Sequence, residues 1–258
     1  MITLKNLSKR YGSFTAVNNI SLEVPPGGIF AFLGVNGAGK TTTIKMITGI
    51  LRPTSGSIFI GGFDLVREPL EAKSIVGYIP DRPNIYPKLT GREFLYFVCD
   101  LYRVGGKRAE KRIDEVLEEY NLTTWQEELV ENYSHGMKQR LATCAALVHE
   151  PRILIVDEPM VGLDPRHARV VKQVLRERAK QGMTVFLSTH QLAVAEEIAD
   201  RIAIINRGKI IALGTVDELR AQAHEQGGLE KVFLSLVDAE EAAREKAAER
   251  ESGPRQDA

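Results

Sequence analysis

The segment Gly34-Val35-Asn36-Gly37-Ala38-Gly39-Lys40-Thr41 constrains this chain more than any other stretch. It fits the pattern GxxxxGK[ST]. It follows the continuous apolar run Ile29-Phe30-Ala31-Phe32-Leu33 and precedes a helical pattern over 40–50. An apolar run of that kind suits a strand buried on both faces of a parallel sheet. The glycines let the backbone curl so that its N–H groups face phosphate oxygens. The helix that follows adds the partial positive charge of its N-terminus. Lys40 can then reach the β and γ phosphates, and the Thr41 hydroxyl can ligate Mg²⁺. An α/β fold with a nucleotide at the strand ends follows from this one segment.

A second acidic motif fits the same fold. Ile153-Leu154-Ile155-Val156-Asp157-Glu158 places two carboxylates at the end of another buried strand. Ligands in open α/β sheets sit beyond the carboxyl ends of the strands. There Asp157 can hold Mg²⁺, and Glu158 can orient and deprotonate an attacking water. Alone, a strand ending in Asp-Glu before Pro159 is an ordinary loop entry; the phosphate loop gives it meaning.

The rest of the chain sets bounds. Its 258 residues suit one large α/β domain with an inserted lobe, or two small domains. Lys+Arg and Asp+Glu are equal at 34 each, which argues against a general grip on nucleic acid through charge. Cys99 and Cys144 lie in apolar helical stretches outside any CxxC pair, so two reduced core thiols are expected. Met1-Ile2-Thr3-Leu4-Lys5 opens an alternating strand rather than a signal peptide. No run approaches the ~20 apolar residues of a membrane helix, so a membrane role requires a partner chain.

Strand patterns open the chain: Ile20, Leu22 and Val24 alternate with polar residues, and Ile58 and Ile60 mark a short strand. From about Arg82 helical patterns take over, at 93–102, 109–120 and 135–148. In the last, Met137, Leu141, Cys144, Ala145 and Val148 share one face. The α/β pattern then resumes, with a helix over 165–181, a strand over 185–188, and a hairpin turning at Asn206-Arg207-Gly208. From Asp238 onward the chain is rich in Ala, Glu and Arg, and a frayed, solvated helix or tail is expected. The expected division is 1–81 for an N-terminal β subdomain plus the phosphate-loop part of the core, and 82–150 for an inserted helical subdomain. The remainder of the core is expected over 151–220, and a helical or partly disordered tail over 221–258.

Between the phosphate loop and the acidic strand, Tyr133-Ser134-His135-Gly136-Met137-Lys138-Gln139-Arg140 resembles the signature of ATP-binding-cassette (ABC) proteins, commonly LSGGQ with a basic residue near Arg140. Gly162-Leu163-Asp164-Pro165 resembles that family's D-loop, Ser188-Thr189-His190 its switch histidine, and Tyr11-Gly12 its adenine-stacking aromatic, with the nearby Phe14 as the alternative stacker. Singly, His190 reads as a strand-end histidine and Tyr11 as a surface aromatic; their order among the other motifs carries the resemblance, which covers residues 1 to about 215. Two departures stand out: Asp81 after Gly77-Tyr78-Ile79-Pro80 replaces the expected glutamine, and His135 replaces the signature's third residue. With Asn36-Gly37-Ala38, these features resemble the subgroup that drives ABC-2-type exporters.

The resemblance implies an ABC-type P-loop fold with a mostly parallel central sheet, an N-terminal antiparallel β subdomain and an inserted helical subdomain. It implies an ATP site made by Tyr11, Gly34, Asn36, Gly37, Ala38, Gly39, Lys40, Thr41 and Thr42. Ser134, His135 and Gly136 would complete the ATP site of a second chain. Thr41, Asp81 and Asp157 would hold Mg²⁺, while Glu158, His190 and Lys40 would catalyse hydrolysis. The partners implied are an integral membrane permease and a second ATP-binding subunit, either an identical copy or a paralogue, at the cytoplasmic face of the membrane, with no nucleic acid. A soluble ABC ATPase acting on nucleic acid or the ribosome is the alternative. Its relatives usually carry two cassettes or long coiled coils, and this chain has neither.

Overall fold

The computed structural model describes residues 1–160 and 165–251. Two sheets organise it. The first is antiparallel, in the order β2-β1-β4-β5, built from β1 (Ile2–Tyr11), β2 (Phe14–Val24), β4 (Ser55–Ile60) and the short β5 (Phe63–Asp64). The second has six strands in the order β10-β9-β3-β8-β7-β6. Its members are β3 (Ile29–Leu33), β6 (Val76–Ile79), β7 (Ile153–Asp157), β8 (Thr184–Thr189), β9 (Arg201–Asn206) and β10 (Lys209–Gly214). All its pairings are parallel except that of β10 with β9. The sheet arrangement expected from the resemblance is therefore present.

The apolar runs occupy the positions their composition demands. Every residue of β3 and β7 is buried, because helices or the first sheet cover both faces. Phe30 stacks on Phe186 with ring centroids 5.8 Å apart, which locks β3 to β8. A fully buried Phe or Ile contributes about 1.5–3 kcal/mol, so this central layer contributes heavily to stability. The register then aligns the strand ends: Leu33 pairs with Thr189, and Asp157 with Ser188. The phosphate loop, the acidic motif and the histidine motif therefore leave the sheet side by side.

Between β6 and β7 the chain is helical. Helices α3 (Gly91–Leu101), α4 (Gly106–Glu119) and α5 (His135–Leu147) share a core of their own, which includes Leu95, Cys99, Ile113, Leu117, Leu141 and Cys144. Thr90 and Glu93 form a reciprocal capping box that starts α3. Both cysteines are free and buried, as expected.

The first helix, α1 (Lys40–Ile47), stops short of the expected 50, because Gly49 turns left-handed at φ 67° and Leu51 N–H folds back to the Lys45 carbonyl. The short α2 (Pro69–Ser74) precedes β6, and α6 (Pro165–Lys180) and α7 (Leu192–Ile198) flank β8. The C-terminal region, expected as a helical or partly disordered tail, is helical as far as residue 251. Helices α8 (Val216–Ala223) and α9 (Leu229–Glu251) follow β10, and Leu219, Leu229, Val232 and Phe233 join Leu33, Ile202 and Ile204 in a buried cluster. Beyond Asp238, Glu240 and Glu241 contact Asn206 and Arg207. The apolar first turns of α9 cover Leu33, Ile202 and Ile204 of β3 and β9, while residues 238–243 are exposed or half-buried and make these polar contacts.

Candidate functional site

The phosphate loop is shaped by close packing that only glycine permits at two positions. A Cβ on Gly34 would lie 2.4 Å from the Ile205 carbonyl oxygen. At Gly39, where φ is 110°, it would lie 2.6 Å from the Ala16 carbonyl oxygen. The loop is thus pressed against β9 on one side and β2 on the other. Lys40 is 5% exposed. Its ammonium donates to the carbonyls of Gly34 (2.8 Å) and Val35 (3.2 Å) and lies 3.3 Å from Glu158 Oε1.

Glu158 is the hub of the site. It occupies the left-handed region at φ 50°, an uncommon conformation for a non-glycine residue, which turns the chain at the end of β7. Its backbone N–H is held by the Ser188 carbonyl and hydroxyl, both at 3.2 Å. Its Oε2 lies 2.9 Å from His190 Nδ1 and accepts a 3.3 Å bond from the His190 backbone N–H. Lys40, Glu158 and His190, brought from three different strand ends, form one contiguous cluster.

Asp157 is buried, and its Oδ1 accepts a hydrogen bond from the Ser188 hydroxyl. Burial raises its carboxyl above the ordinary range, the Ser188 bond and Lys40 oppose this, and the charges of Glu158 and Asp81 add to it. Desolvation plus like charge is the electrostatic setting that a bound cation relieves. Ser188 supports both carboxylate residues, a role that sequence order could not show because it depends on the β7–β8 register.

Lys40, Glu158 and His190 border a cleft of about 470 Å³, lined also by Phe14, Ala16, Asn36, Gly37, Gly39, Thr41, Thr42 and Asp81; the buried Asp157 is next to Glu158 in the chain but is not among the lining residues. Gly34 and Ala38 are buried beneath its floor. Asp81 thus shares the cleft with the phosphate loop. Tyr11 does not line it. Its ring lies 5.3 Å from the Lys9 ammonium, and the aromatic at the cleft is Phe14, its register partner across the β1–β2 turn. Among the described residues no group of three or more His, Cys, Asp or Glu converges as a metal site. The oxygens of Thr41, Asp81 and Asp157 fit the hard-donor chemistry of a Mg²⁺ shared with the phosphates of a nucleotide.

Ser134, His135 and Gly136 lie elsewhere. Ser134 caps α5 by accepting from Met137 N–H at 3.3 Å, and all three residues are exposed and stand outside the cleft. The D-loop motif at residues 162–164 lies outside the described residues, and Pro165 begins α6. Among the described residues, no helix is long and apolar enough to cross a membrane.

Known proteins resemble this chain in sequence and in fold. Residues 17–161 match the family described as ABC transporter. The chain is 40% identical over 219 residues to the linearmycin resistance ATP-binding protein LnrL of Bacillus subtilis (strain 168), covering 85% of this chain and 70% of that protein. It is 39% identical over 221 residues to the daunorubicin resistance ATP-binding protein DrrA3 of Streptomyces coeruleorubidus, covering 86% of this chain and 70% of the relative. In three dimensions it resembles the dimeric post-hydrolysis state of the ATP-binding cassette MJ0796 bound to ADP and Pi. The TM-score is 0.75 and the identity 27%, over 83% of this chain and 98% of that one.

Proposed function

The chain belongs to the ABC transporter family as an ATP-binding, ATP-hydrolysing subunit, and from that premise we propose that it powers an exporter through a membrane permease at the cytoplasmic face. Its similarity to two antibiotic-resistance ATP-binding proteins supports that reading, and selectivity among exported compounds would belong to the permease. The observation that carries the mechanism is the separation of two half-sites. The cleft gathers the phosphate loop, Asp81, Glu158 and His190, while the capped end of α5 at Ser134 faces solvent outside it. A second chain, identical or paralogous, supplies the missing half by placing its Ser134–Gly136 helix end on the γ-phosphate. The dimeric ADP and Pi complex of a related cassette supports this arrangement.

Each residue then has a role. The backbone N–H groups of Asn36 to Lys40 cradle the phosphates, and the Phe14–Tyr11 end of the first sheet offers an aromatic face to adenine. Thr41 and Asp157, with Asp81 at the cleft rim, would hold Mg²⁺, which neutralises phosphate charge when bound. Lys40 exchanges its contact with Glu158 Oε1 for phosphate oxygens as the nucleotide enters, since both are anionic and the phosphates carry more charge. Oε1 is then free to accept the proton of a water that attacks the γ-phosphorus. As the water oxygen bonds to phosphorus, the bridging P–O bond breaks and ADP leaves. His190, already bonded to Oε2, holds the carboxylate in that orientation.

Tyr86 and Phe97 meet edge to face at 5.4 Å, and Leu101 is also exposed. This apolar patch, made by Tyr86 in the segment after Asp81 and by Phe97 and Leu101 on α3, is where a permease segment would dock.

The deciding experiment is Glu158→Gln. Glutamine keeps the shape but cannot take a proton at neutral pH. Turnover should fall by about 10²-fold or more, while ATP converts monomer to a lasting dimer on a sizing column, reversed by EDTA. A paralogue-dependent chain shows the shift only with that partner. Turnover at the parent rate would refute the role of Glu158.

A further inference from the structure

The phosphate loop rests on the β9–β10 hairpin turn, and that turn is held from outside by the C-terminal helix. The turn is a two-residue one, with Arg207 at φ 46° and Gly208 at φ 78°. The Gly208 N–H donates to the Ala38 carbonyl at 2.8 Å, in the middle of the phosphate loop. The Gly208 carbonyl accepts from Asn18 N–H at 2.8 Å, and a Cβ at Gly208 would lie 2.8 Å from the Ala16 carbonyl oxygen. The turn therefore touches two walls of the cleft, the phosphate loop and the Ala16 segment.

On its other side, Asn206 is 5% exposed and its Nδ2 donates to Glu240 Oε2 at 3.1 Å. Arg207 pairs with Glu241 Oε1 at 2.8 Å on the surface. The root of α9 is fixed by Leu229, Val232 and Phe233 in the cluster that contains Leu33, the last residue before the loop. A charge-assisted bond to a buried amide fixes direction more firmly than an exposed ion pair does.

We propose that α9 is a brace for the nucleotide site: Glu240, through Asn206, and Glu241, through Arg207, are positioning residues that hold the turn against Ala38 and so set the affinity of the loop for phosphates. The inference rests on the reading of the cleft as the ATP site. Its chemistry is simple. The loop binds phosphate through backbone N–H groups, and those groups are useful only in a fixed array. Ala38 is anchored by its carbonyl to Gly208, so freedom in the turn becomes freedom in the array. Affinity falls because the loop must then be ordered by the nucleotide itself.

The test measures binding of a fluorescent ATP analogue, ATPase KM and kcat, and thermal midpoint on the full chain. The variants are Glu240→Ala, Glu240→Gln, Arg207→Glu, Glu241→Arg, and the double Arg207→Glu/Glu241→Arg. Glu240→Ala should raise Kd and KM about five-fold, as expected for loss of one buried bond, with kcat within about two-fold of the parent. Glu240→Gln keeps an acceptor oxygen for Asn206 and should restore parent affinity. Each single charge reversal should weaken binding about two-fold at low salt, and the double variant should recover it. A lowered thermal midpoint with Kd equal to the parent would overturn the brace and leave only a stabilising contact. A parent that binds no nucleotide would instead refute the ATP-site reading, and the brace with it.

Discussion

His149 makes one contribution to the stability of the chain depend on pH on the acid side. The ring lies at the end of α5, where the helical segment meets β6, stacked on Tyr102 at 3.6 Å between centroids and 15° between planes. Nε2 contacts the Val76 carbonyl at 3.1 Å. Burial lowers its pKa from 6.5 to about 4, against the opposing pull of the Val76 and Ala145 carbonyls. The folded state therefore holds His149 neutral, while the unfolded chain protonates it near the ordinary value. Between those two pKa values the unfolded state binds more protons, so stability is complete above about pH 6.5 and is lost as pH falls toward 4. At pH 5 the loss from this one group is about 2 kcal/mol, from ~1.4 kcal/mol per unit over the interval traversed. The assay is urea unfolding of the parent and His149→Phe at pH 7.5 and pH 5. Phenylalanine keeps the stack but cannot titrate, so it should be the less stable at pH 7.5, where the Val76 bond is missing, and should lose about 2 kcal/mol less than the parent on acidification. Equal losses in the two proteins would refute a neutral, buried His149.

Further outcomes follow from the site. Phe14→Ala should weaken ATP binding by about ten-fold, from the ~1–3 kcal/mol of a base–aromatic stack, and Tyr11→Ala by less, by equilibrium titration; the reverse order would place adenine on Tyr11. Asp81→Asn should raise the Mg²⁺ concentration for half-maximal turnover, because a charged cleft-rim oxygen is replaced by a neutral one; an unchanged titration would assign Asp81 to the turn alone. Gly34→Ala should lower both the thermal midpoint and nucleotide affinity, since its Cβ would lie 2.4 Å from a backbone carbonyl that cannot step aside; parent-like behaviour in both would contradict the packing described for the loop.

The sequence by itself determined the family and most of the elements. A glycine-rich loop, an apolar strand ending in two carboxylates and a histidine at a third strand end are local patterns, and their spacing follows from the period of strands and helices. Heptad-like spacing at Met137, Leu141 and Cys144 likewise reveals a buried helix face, because burial and period are both local properties. What it could not supply were contacts fixed by register and packing between distant segments. That Ser188 holds both Asp157 and Glu158 depends on the pairing of β7 with β8, which no local pattern encodes. That Phe14 rather than Tyr11 borders the cleft depends on how the first sheet meets the phosphate loop. The Ala-, Glu- and Arg-rich end of the chain has the composition of a solvated helix. Only the fold brings Glu240 and Glu241 to Asn206 and Arg207, because the side chains that anchor α9 lie a few turns earlier and the partners more than thirty residues away.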